Sequence, residues 1–110
     1  MILITGPFCS GKRTVAAQIL GRPSERWGND VLADAQDLAL SASDLTALAD
    51  ELATYPVVIT TEVGSGVVPV DARQRASREA AGRLSCLLAA RADTVIRVFC
   101  GIPIVLKGEL

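Results

Sequence analysis

Residues 1–14 read MILITGPFCSGKRT, and the order of elements in that stretch decides the fold. Ile2, Leu3 and Ile4 form a continuous apolar run, as in a strand buried on both faces, and a glycine follows at once. Beyond the next glycine, Val15, Ala16, Ile19 and Leu20 fall on one side of a helix running from Gly11 to Leu20. A strand that stops in a glycine-containing turn and restarts as a helix leaves several backbone N–H groups unpaired and facing inward. The helix dipole adds partial positive charge at the same place. Phosphate oxygens satisfy such groups. Gly6, four residues, Gly11 and Lys12 have the spacing of a phosphate-binding loop, in which the glycines permit close approach and the lysine supplies a point charge for the outer phosphates. The competing reading is a glycine-rich turn that caps an ordinary helix. Strand, spacing, lysine and helix together favour phosphate, with Gly6, Pro7, Phe8, Cys9, Ser10, Gly11, Lys12, Arg13 and Thr14 as the contact residues.

Transfer of a phosphoryl group asks for more, because Mg²⁺ is usually held by a hydroxyl directly after the lysine and by a carboxylate ending a neighbouring strand. Arg13 fills the hydroxyl slot and cannot ligate a cation; Thr14 lies a further 100° around the helix. Ser10 is a conceivable substitute. Glu62, behind the β-branched run VVITT, is the carboxylate best placed to hold Mg²⁺ or take a proton from an acceptor hydroxyl, the alternative being a solvated loop glutamate.

The chain has 110 residues, half of them hydrophobic, which suits one domain over 1–110 with one core. Eleven Lys and Arg against twelve Asp and Glu give no whole-molecule attraction to nucleic acid or an anionic membrane, so anion binding must be local. The greasiest segment, VIRVFCGIPIVL, is interrupted by Arg97, Gly101 and Pro103, and MILIT is too short for an export signal. A cytoplasmic location follows. Cys9, Cys86 and Cys100 are widely spaced and show no C-x-x-C pair, so they read as small buried hydrophobes, with Cys9 as the one thiol placed to be reactive.

Further along, residues 21–42 carry turn formers and only a short helical pattern, which predicts an irregular stretch with one short helix. Ser43 is placed to cap a helix over DLTALADELA, with Asp44 in its first turn. VVIT at 57–60 is a second buried strand, followed by the loop GSGVVP. Asp71 can cap a long helix to about Ala92 whose core stripe is Ala76, Ala80, Leu84, Leu87 and Leu88. TVIRVFC is a third strand, and IPIVLK adds an edge strand, since Pro103 cannot donate to a central ladder. Strands alternating with helices give an α/β fold: a small, mostly parallel sheet flanked by helices. Arg78 and Arg83 could reach acidic phosphates or a partner subunit, or simply belong to a solvated face. Trp27 packs over the core edge or stacks on a base.

These segments resemble a known family. MILITGPFCSGK, then RPSERW, TTEVGSGVVP, AGRL and AARADTVIRVFCGIPIVLK are similar to the bifunctional adenosylcobinamide kinase/adenosylcobinamide-phosphate guanylyltransferase of cobalamin biosynthesis, over about two thirds of the chain. The resemblance implies a P-loop NTPase-like fold, ATP or GTP on the opening loop, Mg²⁺, a corrinoid acceptor and a homo-oligomer. It also marks departures. Members of the family are longer, and between the first helix and the strand before the glutamate they place further strands, one ending in a Walker-type aspartate, and a segment bearing the histidine that becomes guanylylated. Only residues 21–56 fill that interval here, and there is no histidine in the chain, so guanylyl transfer by the family route is not available. Arg13, Thr61, Ser77 and Ser85 also depart from the family pattern. Three functions fit: a shortened nucleotide-binding relative with weak kinase activity using Lys12 and Glu62, a non-catalytic binding or regulatory subunit, and an unrelated small P-loop metabolite kinase.

Overall fold

A computed structural model describes residues 1–62 and 71–109. The elements in chain order are β1 (Ile2–Gly6), α1 (Lys12–Leu20), β2 (Val31–Leu32), α2 (Leu45–Leu52), β3 (Val57–Thr61), α3 (Ala72–Arg91), β4 (Thr94–Phe99) and β5 (Ile102–Lys107). They build one sheet in the order β2-β3-β1-β4-β5, in which the first four strands run parallel and β5 is antiparallel to β4. The loop GSGVVP lies outside the described residues.

The continuous apolar runs are explained by two covered faces. Leu3, Val58 and Val95 pack with Ala49 and Leu52 of α2 and with Ala81, Leu84 and Leu88 of α3. On the other face, Ile4, Ile59, Ile96 and Val98 pack with Val15 and Ala16 of α1. A strand in such a sheet needs no polar alternate position. The chain leaves β1 towards β2 and β3 on one side and returns through α3 to β4 on the other, so the carboxyl end of β1 stands at the switch point where open α/β sheets collect ligands.

Residues 21–42 hold more order than their composition predicts. They contain a 3-10 turn at Ser24–Arg26, the strand β2 and a second 3-10 turn at Ala35–Leu38. A two-residue strand is too short to repeat the two-residue period, which is why it has no sequence signature. Beyond its end the Gln36 side chain continues the ladder, its Oε1 accepting from the Thr61 N–H at 2.9 Å. The cap of α2 is Asp44 rather than Ser43. Its backbone is extended (φ −141°), which lets Oδ1 accept from Thr46 N at 3.0 Å and Ala47 N at 3.2 Å. Asp71 caps α3 as its position predicts, accepting from Gln74 N at 2.7 Å.

The buried stripe of α3 is Ala81, Leu84 and Leu88; Ala76 is exposed because burial on this helix begins past its first turn, and Ala80 and Leu87 are half-buried, each one position, about 100°, from a buried residue. All three cysteines are exposed, against the expectation of burial. Cys9 lies in the phosphate loop, and Cys100 with Gly101 forms the two-residue β4–β5 turn, both residues at positive φ (52° and 75°) as such a hairpin requires. Trp27 packs beside the α1 cluster and donates Nε1–H to the Arg22 carbonyl at 3.2 Å, which makes it a core-edge residue.

Leu84 is 1% exposed at the centre of the α3 layer, so Leu84→Ala should cost about 2–5 kcal/mol of stability, read as a lower urea midpoint at unchanged slope.

Candidate functional site

The loop after β1 is pressed against the end of β4. A Cβ on Gly6 would stand 2.3 Å from the Val98 carbonyl oxygen and 2.7 Å from Ser10 Oγ, so no side chain fits. Gly11 adopts φ 95°, and a Cβ there would meet Gly101 Cα at 3.1 Å. The contact is bonded as well as close: Gly101 N–H donates to the Ser10 carbonyl at 2.7 Å. Among the described residues, the one backbone hydrogen bond donated by an amide from Phe8 to Gly11 is Ser10 N–H to Pro7 O, long at 3.3 Å. The remaining amides, with the first N–H groups of α1, stay available to an anion.

Residues Phe8 to Thr14 line a cleft of about 410 Å³, closed on its far side by Asp34, Ile59 and Thr61. The Ser10 side chain is buried, and its Oγ has no hydrogen-bond partner among the described residues. A buried hydroxyl left unpaired is costly, and a phosphate oxygen would satisfy it. Lys12 is also buried and folds back over the loop, with Nζ 2.7 Å from the Pro7 carbonyl. Burial lowers its pKa below the usual lysine range, opposed chiefly by the nearby Asp34 carboxylate. The loop thus holds its cation inward. Phe8 is 83% exposed at the mouth of the cleft.

Asp34 was not foreseen. It follows β2 at φ 58°, lines the phosphate cleft and accepts from Arg13 Nη2 at 3.0 Å. The interval expected to lack a strand therefore still delivers an aspartate to the site, and only its place after the β-type pair Val31-Leu32 hints at this in the sequence. Glu62 has a different setting. Its N–H extends the β1–β3 ladder to Gly6 O at 2.8 Å, while its carboxylate accepts from Arg97 Nε at 2.7 Å and Nη2 at 3.0 Å. The Arg97 guanidinium also lies 5.5 Å from the centre of the Phe99 ring. The Arg97 hydrogen bonds hold the Glu62 pKa below the usual carboxylate range. Glu62 faces a second cleft, of about 340 Å³, between the sheet and α3. The signal for Arg97 was one arginine inside the apolar strand TVIRVF.

Arg78 and Arg83 lie elsewhere, on a cleft of about 620 Å³ between α2 and α3 that shares no lining residue with the phosphate cleft. Arg83 pairs along its own helix with Glu79 at 2.6 Å. A divalent cation fits this donor set poorly. The slot after Lys12 is a guanidinium, Asp34 is bonded to that guanidinium, and Glu62 is held by Arg97. No helix of the described residues is long and apolar enough to cross a membrane.

A parallel sheet whose first strand ends in a glycine-bounded loop, with an inward lysine at a helix start, defines an α/β fold of the P-loop NTPase type. Residues 25–106 match the family model described as cobinamide kinase / cobinamide phosphate guanyltransferase, and the chain belongs to that family. The match begins beyond the phosphate loop, so loop geometry and family membership are independent observations. Membership removes the reading as an unrelated small kinase. No individual curated protein matches the chain.

Gly6→Ala should cost on the order of 1–3 kcal/mol, because backbone on β4 must yield to the new methyl group; thermal unfolding reads it. For Glu62, a depressed folded pKa means stability present above the ordinary glutamate value of about 4.3 and lost as pH falls through the folded value. Arg97→Gln should raise the Glu62 pKa in a carbon-detected NMR titration and flatten that acid-side loss.

Proposed function

We propose that this chain binds a nucleoside triphosphate, ATP or GTP, through residues 6–14, and serves cobalamin biosynthesis in the cytoplasm as a nucleotide-binding member of its family, with a corrinoid as its other partner. Residues 1–110 act as a single P-loop domain in this reading. The observation that carries it is the unpartnered, buried Ser10 hydroxyl beside Lys12 in a loop whose amides are largely unspent. Guanylyl transfer through a histidine has no acceptor here, since the chain contains none. Binding without transfer is favoured by Glu62, which stands outside the phosphate cleft and is occupied by Arg97.

Kinase activity is the second reading, favoured by one observation: Glu62 directly follows β3, the strand paired with β1, and its N–H bonds to Gly6 O at the base of the loop that carries Lys12. An acceptor hydroxyl that displaced Arg97 would give Glu62 a proton to accept. Self-association is supported by the edge strand β5, where Ile102, Ile104, Val105 and Leu106 are all exposed.

Calorimetric titration with ATP and GTP tests the binding reading. Lys12→Ala should weaken binding roughly tenfold to a hundredfold, the worth of one charge-assisted hydrogen bond. Equal affinity in the variant, or no binding by the native chain, overturns it. ADP release in the presence of adenosylcobinamide separates the kinase from the binding subunit.

A further inference from the structure

We infer that Arg13 takes the place of the divalent cation in the phosphate cleft, so that the site is built for the metal-free polyphosphate of a nucleoside triphosphate. This rests on the nucleotide reading above and specifies the form of the ligand. The observation is the Arg13–Asp34 pair, 3.0 Å apart, with both residues lining the same cleft as Ser10 and Lys12. Arg13 stands directly after the loop lysine, the slot from which a hydroxyl would otherwise reach a metal ion. Asp34 lies two residues beyond β2, one strand removed from β1 in the sheet, and lines the cleft where a carboxylate would otherwise hold that ion through its shell. A guanidinium bridging these two positions supplies the positive charge that links carboxylate to phosphate.

The donor count supports the assignment. A guanidinium has five N–H donors in a planar fork, and the bond to Asp34 uses one of them. The rest match phosphate oxygens in pairs. Arg13 and Asp34 side chains are about half exposed, 55% and 51%, so the fork can turn between carboxylate and ligand without being desolvated. The charge balance points the same way. Lys12 and Arg13 outnumber Asp34 in the cleft, and the start of α1 adds roughly half a positive charge. A metal complex would bring further positive charge against two cations and would have to strip Arg13 from Asp34. The uncomplexed, more negative tail meets no such conflict.

Calorimetry of ATP and of inorganic pyrophosphate, each in EDTA and in excess Mg²⁺, tests this with the native chain, Arg13→Ser and Asp34→Asn. The native chain should bind at least as tightly in EDTA as in Mg²⁺. Arg13→Ser should lose about tenfold or more in EDTA, the worth of a charge-assisted contact, and recover when Mg²⁺ is added. Asp34→Asn, at an exposed position, should keep or gain affinity in both buffers. Native affinity that rises tenfold with Mg²⁺, Arg13→Ser that binds like native in EDTA, or Asp34→Asn that loses its binding only in Mg²⁺ would each overturn the inference while leaving nucleotide binding intact. Circular dichroism confirms that each variant is folded, and Asp34→Asn decides the matter if Arg13→Ser is not. No binding by the native chain in either buffer would instead remove the nucleotide reading itself.

Discussion

The site depends on one backbone contact, between the loop after β1 and the end of β4. Parallel pairing of Ile2–Thr5 with Thr94–Arg97 brings the Val98 carbonyl onto Gly6, and the β4–β5 turn then donates Gly101 N–H to the Ser10 carbonyl. A side chain has no room at Gly6 and little at Gly11. With the Ser10 carbonyl tied to the β4–β5 turn, residues Phe8 to Lys12 line the cleft with most of their N–H groups and the Ser10 hydroxyl unspent, and with the Lys12 ammonium folded onto the Pro7 carbonyl. Hydrogen bonds in such a place cost little reorganisation when an anion arrives, which is the physical content of a preformed phosphate site.

Around this frame the charges are arranged in two arginine–carboxylate pairs. Arg13 with Asp34 spans the phosphate cleft, and Arg97 with Glu62 stands at the edge of the neighbouring one. Each pair occupies a carboxylate that could otherwise hold a cation or accept a proton. The phosphate cleft is left with Lys12, the remaining Arg13 donors and the helix start as attraction for an anion, and with Asp34, its one carboxylate among the described residues, already paired. That combination supports the proposed reading of polyphosphate binding without phosphoryl transfer, in a member of a family named for kinase and guanyltransferase chemistry.

Much of the frame was legible in the residues because long apolar runs and caps are local signals. MILIT, VVIT and TVIRVF became parallel strands, Asp71 capped its helix, and Pro103 marked the edge strand. The misses have physical causes. Ser43 and Asp44 are both good caps, and only the backbone angle at Asp44 chooses between them. On α3, Ala76, Ala80 and Leu87 lie off the buried stripe because alanine and leucine are spread around that helix, leaving the sheet and α2 to select which face is buried. Residue type and spacing favour burial of the cysteines, yet Cys9 and Cys100 stand exposed in tight turns at positive φ.

By itself the sequence determined that a strand, a glycine-bounded loop and a helix with Lys12 follow one another, because each is specified by neighbours within a few residues. It also shows that these 110 residues contain no histidine. Only the tertiary structure decided that Asp34 meets Arg13 across 21 positions and that Glu62 meets Arg97 across 35. Those partners are brought together by strand order in the sheet, and the order of strands is a property of packing on two faces, which no local pattern encodes.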